Sequence, residues 1–263
     1  MLRNTSLNKK QPCCGTTLDS AYSADESTLK GIAVYSRRTD LVGFAFALQG
    51  AKFRDEHSEP GREALSAASL SEAVASLERV LSSYTSANSL SGPLGLFRYA
   101  QIILKINVRL LLVERFRRLL AEASETLTLA GYNLSVAVDS NNFLFMREYR
   151  ELRQIMFSLA DVGVDFTLEN PAHEADLSAQ ITVLEGAFSS VSVTPQWLGI
   201  HQSEDKLDLS HYMAAVSRLS VLIHEKDKHV IYDGASNNWQ RSFVTSLPVR
   251  LYTSPGSSDD ICV

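Results

Sequence analysis

From residue 103 to residue 254, short β-type runs and longer helix-type segments alternate, and this alternation restricts the fold more tightly than any single motif. The β-type runs are 103–108 (ILKINV), 133–139 (NLSVAVD), 164–170 (VDFTLEN), 190–195 (SVSVTP), 229–234 (HVIYDG) and 248–254 (PVRLYTS). Helix-type segments fill the intervals at 110–129, 143–160, 175–186, 209–225 and 238–246. Within 143–160 the apolar residues Phe145, Tyr149, Leu152, Met156 and Leu159 recur every three or four positions, on one face of an amphipathic helix. A helix between two strands returns the chain to the start of the sheet, so consecutive strands run parallel and helices cover the faces.

Two further β-type runs, 31–36 (GIAVYS) and 41–48 (LVGFAFAL), are joined by Arg37, Arg38, Thr39 and Asp40 alone, which reads as a hairpin. A helical segment follows over 60–84, with Ser69 three residues ahead of Glu72 as a capping box. Six runs and a hairpin give eight strands, and an α/β chain of 263 residues with eight strands is expected to close into a (β/α)8 barrel. An open doubly wound sheet is the competing architecture. The hairpin favours the barrel, in a form whose first strand pair is antiparallel. The expected organisation is a flexible N-terminal tail over 1–29, which is polar and poor in aliphatic residues, a barrel domain over 30–256 and a flexible C-terminal tail over 257–263.

A net charge of -5 gives no general attraction to nucleic acid, so no direct nucleic-acid contact is expected. No run approaches the roughly 18 apolar residues of a membrane span, and the first residues lack the apolar core of a signal peptide, so the expected location is the cytoplasm. Cys13 and Cys14 are adjacent and Cys262 is distant, which encodes neither a disulfide framework nor a zinc site. No cofactor is expected: the chain has no phosphate-binding glycine loop, nucleophile elbow or dinucleotide fingerprint.

Four local stretches, in this order, carry a family resemblance. Val42 to Leu48 (VGFAFAL) is similar to a V-G-x-E-A-L-L signature, and Ile106-Asn107-Val108 to a V-N-L segment. Val162 to Asn170 (VGVDFTLEN) is similar to L-G-x-x-x-A-L-D-D, and Val230 to Ser236 (VIYDGAS) to V-V-A-E-G-V-E. Together they resemble the bacterial EAL domain of cyclic di-GMP phosphodiesterases, over about residues 31–255. The resemblance implies a TIM-like barrel with an antiparallel first pair. It also implies hydrolysis of a phosphodiester by two divalent cations, which need several carboxylate oxygens at the strand ends.

The residues at the implied positions do not supply them. The signature Glu falls on Ala45 and the fourth-strand Glu on Ala137, while the paired Asp-Asp becomes Glu169-Asn170. The Lys and Asp of a K-I-D strand fall on Ser192 and Thr194, the loop Glu on Asp233 and the last-strand Gln on Arg250. Asn107 is kept, and the Arg that would hold a ligand phosphate falls on Gln49. The resemblance therefore implies a degenerate member, not an enzyme, of the kind that acts through protein contacts on transcriptional or motility regulators. Two other readings stand beside it: a cyclic di-GMP receptor that binds without hydrolysis, and a barrel enzyme of different chemistry using Glu169, His173 and Asp233.

Other polar groups read more simply. His224 and His229 are one residue too far apart for a zincin pair on a helix. Asp139-Ser140-Asn141-Asn142 reads as a turn and helix cap, Glu169, Asn170, His173 and Glu174 as a hydrated loop, and Arg115, Arg117 and Arg118, flanked by Glu114, Glu122 and Glu125, as an ion-paired helix surface. The expected contact patch for a protein partner is the loop after the sixth strand, where Trp197, Leu198 and Ile200 adjoin Glu204, Asp205 and Lys206.

Overall fold

The computed structural model describes residues 29–48, 67–85, 100–143, 147–171, 184–200 and 209–262. The expected N-terminal tail before Leu29, the start of the first helical segment, Cys13, Cys14, Gln49, Phe145, His173, Glu174 and most of the 175–186 segment lie outside these residues.

β1 (Lys30–Ser36) and β2 (Leu41–Ala47) form the hairpin, with Gly31 opposite Phe46 and Ala33 opposite Phe44. β3 (Ala100–Ile106), β4 (Tyr132–Asp139), β5 (Val164–Glu169), β6 (Ser190–Val193), β7 (His229–Tyr232) and β8 (Leu251–Thr253) follow β2 in parallel order. β1 pairs antiparallel with both β2 and β8, which closes the ring of eight. β2 and β3 meet so closely that a Cβ on Gly43 would lie 1.9 Å from the Gln101 carbonyl oxygen, so a side chain there would split the seam.

The helices lie outside the ring: α1 (Ala67–Thr85), α2 (Glu114–Leu129), α3 (Tyr149–Asp161), α4 (Leu209–Ser220) and α5 (Asn238–Ser246). On α3 the residues Tyr149, Leu152, Ile155, Met156 and Leu159 are buried, the apolar face its periodicity predicts. Burying side chains of this size contributes roughly 1.5–3 kcal/mol each, which is what fixes a short helix to the barrel wall. Two apolar layers result. Between strands and helices lies a large core that includes Phe46, Phe116, Phe143 and Phe166. Inside the ring Val34, Ala45, Ile103, Ala137, Ile231 and Leu251 form a second, smaller one. Among the described residues no helix is long and apolar enough to cross a membrane.

The C-terminal segment departs from the expected flexible tail. β9 (Ile261–Cys262) pairs antiparallel with Lys30 and Gly31 of β1. β8 covers only Val34 to Ser36, so the first half of β1 would otherwise present unpaired backbone groups. Asp260 completes the cover: its carboxylate accepts the Ala33 N–H at 3.0 Å and lies 3.3 Å from the Lys30 ammonium. The Tyr35 hydroxyl donates to Asp259 at 2.7 Å and shares a hydrogen bond with Ser257. Among the described residues the barrel therefore includes buried Leu29 and extends to Cys262.

Candidate functional site

Side chains alternate across a strand, so every second residue near a strand's C-terminal end points into the barrel mouth. Ala45, Lys105, Ala137, Thr167, Glu169, Ser192, Asp233 and Thr253 reach it, over a floor of Ile103 and Ile231. The Lys105 Nζ is 2.8 Å from a Glu169 carboxylate oxygen and 2.6 Å from an Asp233 oxygen. β3 and β7 stand four strands apart in a ring of eight, so the lysine spans the mouth from one wall to the other. Ala45 and Ala137 make this possible, because their methyl groups leave the centre to the four-carbon stem. Asp233 also accepts a hydrogen bond from the Thr253 hydroxyl. The cavity among these residues is about 10 Å³, room for about one water.

Burial alone would lower the Lys105 pKa, but the two carboxylates reverse the effect and hold the ammonium above its ordinary value. Burial pushes Glu169 up, against the attraction of Lys105. Burial acts on Asp233 too, yet Lys105 and the Thr253 hydroxyl together hold it below the usual aspartate range. The site thus carries a protonated lysine and an ionised Asp233, with Glu169 the more readily protonated acid. A lysine nucleophile or base needs a lowered pKa, so Lys105 is not poised for that work.

Divalent cations fit this donor set poorly. Both carboxylates at the mouth are in contact with the Lys105 ammonium, which competes with a divalent cation for them. Among the described residues no three His, Cys, Asp or Glu side chains gather in a way that could hold a metal ion.

The remaining residues of interest fall elsewhere. Asn107 follows β3, and its side-chain oxygen caps the 3-10 turn Val108–Leu112 by accepting the Arg109 N–H at 3.0 Å. Asn170 has a left-handed backbone (φ 47°) and donates its amide to Asp139 at 2.9 Å, outside the cavity. Thr194 accepts the Trp197 N–H at 3.3 Å. Arg250 is exposed and precedes β8, at the end of the barrel opposite the mouth. The β8 residue that reaches the mouth is Thr253, three positions on. Lys105 and Thr253 were both missed by reading the sequence. The available signal for Lys105 was a lone charge two residues from Ile103 in an otherwise apolar strand.

The expected contact patch is corrected too. Leu198 and Ile200 are 2% and 0% exposed and belong to the core beneath α4 and α5. Trp197 is half-buried and donates its indole N–H to the Pro171 carbonyl at 2.8 Å, tying the β6 loop to the β5 loop. His201, Glu204, Asp205 and Lys206 lie outside the described residues. His224 sits in the π turn Val221–Glu225 that ends α4, and exposed His229 opens β7, so the pair shares no helix face. Asp139 accepts the Asn141 N–H at 2.8 Å, the turn its sequence predicts.

Together these features define an α/β barrel with an antiparallel first strand and an internal lysine–dicarboxylate cluster at its mouth. Its fold is that of solved EAL-domain barrels. It superposes on the EAL enzyme Bd1971 in its cAMP- and cyclic-di-GMP-bound form (TM-score 0.62, 11% identity, 90% of this chain and 63% of that one). It also superposes on the Bacillus subtilis YkuI protein, with an EAL domain, in complex with substrate c-di-GMP and calcium (TM-score 0.57, 15% identity, 87% and 54%). A third likeness is to the PaMucR phosphodiesterase in a c-di-GMP complex (TM-score 0.57, 14% identity, 87% and 94%). The chain spans less than two thirds of the length of the first two. No family model and no curated protein sequence matches the chain.

Proposed function

We propose that this chain is a non-catalytic EAL-type barrel that serves cyclic di-GMP signalling through contacts with another protein. The observation that carries the reading is the Lys105 ammonium held 2.8 and 2.6 Å from Glu169 and Asp233. A fixed monovalent cation on Glu169 and Asp233 supplies their counter-charge and competes with any metal or proton for both. Ala45 and Ala137, where the resemblance puts two acids, add no ligand. The receptor reading differs from this one in needing a cyclic di-GMP site at the mouth, which the binding test below addresses.

The test incubates the whole purified chain with cyclic di-GMP and magnesium or manganese and separates the products by chromatography. No linear dinucleotide is expected. Turnover that disappears in Asp233→Ala would overturn the reading. Calorimetric titration with cyclic di-GMP is expected to show no heat of binding, and saturable binding would replace protein contact with the receptor role.

A further inference from the structure

The outer apolar layer of the barrel is built in two parts. Among the described residues, the larger cluster draws on β1 to β5 and α1 to α3, and its buried members run from Leu29 to Phe188, all ahead of β6. The second cluster runs from Val191 to Tyr252, on β6 to β8 with α4 and α5. Tyr35 packs against both, its ring stacked on Tyr252 at 5.3 Å.

Strand pairing follows the same division. β3 pairs with β4 from Ala100 to Ile106 and β4 with β5 from Leu134 to Asp139, whereas β6 pairs with β7 from Ser190 to Val193 and β7 with β8 at Ile231 and Tyr232 alone. The two parts meet along short ladders, Thr167–Glu169 with Ser190–Ser192 and Val34–Ser36 with Leu251–Thr253. The Trp197–Pro171 hydrogen bond and β9 reach across these seams. Shorter ladders and a smaller apolar cluster make the second part the weaker of the two, and regions of that kind open at a lower free energy than the whole chain.

Inside the ring an ionic contact joins the parts. Lys105 and Glu169 both stand on the first, 2.8 Å apart, while Asp233, 2.6 Å from the same ammonium, follows β7 on the second. The Thr253 hydroxyl, also on the second part, donates to Asp233 and fixes its carboxylate. The apolar interior ties the parts less firmly, since the second contributes only Ile231 and Leu251 to its buried cluster.

We propose that the barrel opens as two units, β6 to β8 with α4 and α5 coming away together from a first unit that stays folded, and that the Lys105–Asp233 contact is the latch between them. The ammonium has one acid on its own unit and one on the other. When the second unit departs, Lys105 keeps Glu169, so the first unit retains its charge balance and can persist alone. Opening bares the pairing edges of β5 and β1. The device does not depend on the signalling role, and a catalytic chain could possess it equally.

The experiment follows native-state hydrogen exchange of the whole chain by mass spectrometry of its peptide fragments, in urea below the unfolding transition. Amides of 190–193, 209–220, 229–232 and 238–246 are expected to exchange through one shared opening, ahead of those of 100–106, 114–129, 132–139 and 164–169, which wait for global unfolding. Asp233→Asn keeps the shape of the side chain and the Lys105–Glu169 pair, and should make the shared opening about tenfold more frequent or more. Ile102→Val, in the buried core of the first unit, weakens the closed and the half-open forms alike. It should therefore speed exchange of the first unit about two- to tenfold and leave that of the second unchanged. A single opening shared by all these segments, second-unit exchange indifferent to Asp233→Asn, or an Ile102→Val chain in which both units exchange faster by the same factor would each overturn the proposal.

Discussion

Lys105→Met tests whether the ammonium is the cation that holds the barrel mouth together. At 2.6 and 2.8 Å each contact is worth ~6 kcal/mol of gross attraction at an effective dielectric of about 20. Most of that is offset by desolvation of the three charges, which costs several kcal/mol per ion. Methionine keeps most of the stem and its packing but leaves two buried carboxylates uncompensated, and breaking a buried pair in this way typically costs 3–5 kcal/mol. The three side chains retain 14–23% exposure, so the low end applies, about 3 kcal/mol near neutral pH. For a domain of this size that is a fall of about 6–12 °C in melting temperature. The pH dependence gives the mechanism away. Without the lysine, Glu169, already pushed up by burial, rises further and binds a proton in the folded state, so the deficit should shrink between pH 7 and about pH 5. Urea unfolding followed by circular dichroism at both pH values measures this. Adding Glu169→Gln and Asp233→Asn to Lys105→Met should recover most of the loss, since no uncompensated charge remains. A loss under about 1 kcal/mol at pH 7, or one that is equal at both pH values, would refute the account.

Three further outcomes are expected. Removing residues 257–262 uncovers the Ala33 N–H and the β1 edge, which should cost about 1–3 kcal/mol for the lost partners; an unchanged melting temperature would mean the ninth strand is dispensable. Leu198→Ala and Ile200→Ala should each cost about 2–5 kcal/mol as cavities in a core, and melting curves that match wild type would return these residues to the surface. Burial pushes the Tyr35 hydroxyl up to about 12, from about 10 unfolded; a raised folded value means stability that is present below pH 10 and lost as pH climbs from about 10 to 12. Tyr84 and Tyr232 are raised by burial as well, so tyrosinate absorbance and loss of structure should appear together. Ionisation of Tyr35, Tyr84 or Tyr232 near pH 10 in a still-folded chain, identified by single Tyr→Phe variants, would contradict this.

Much of the barrel was legible because periodicity and length record burial directly. The 238–246 segment matches α5, the buried face of α3 holds four of the five residues its spacing gives, and the hairpin closes the ring as its short connection requires. Where side chains meet across the ring, sequence carries less. Lys105 contacts partners 64 and 128 positions away, and nothing local to ILKINV says which strand stands opposite. The resemblance puts Arg250 at the mouth, whereas the residue of the 248–254 run that reaches it is Thr253. Leu198 and Ile200 resembled a surface patch because charged residues follow them, and only the packing under α4 and α5 shows which side of the loop is buried. The 257–263 segment is short and mostly polar, yet Asp260, the Tyr35 hydroxyl and the pairing of Ile261 and Cys262 with β1 hold it to that strand's open edge.

Two inward carboxylates at the end of a barrel need a positive charge, and the source of that charge separates a catalyst from a scaffold. A bound divalent cation would leave with its chelator and keep coordination positions for water or substrate. An ammonium on a side chain cannot leave, offers only donors, and needs the space that Ala45 and Ala137 provide. The resemblance puts the site's lysine on β6, where Ser192 stands, while the cation here comes from β3 across the ring. Ala45, Ala137 and Lys105 therefore form one physical arrangement: acids at the two alanine positions would crowd the lysine stem, and alanines without the lysine would leave Glu169 and Asp233 facing each other unpaired.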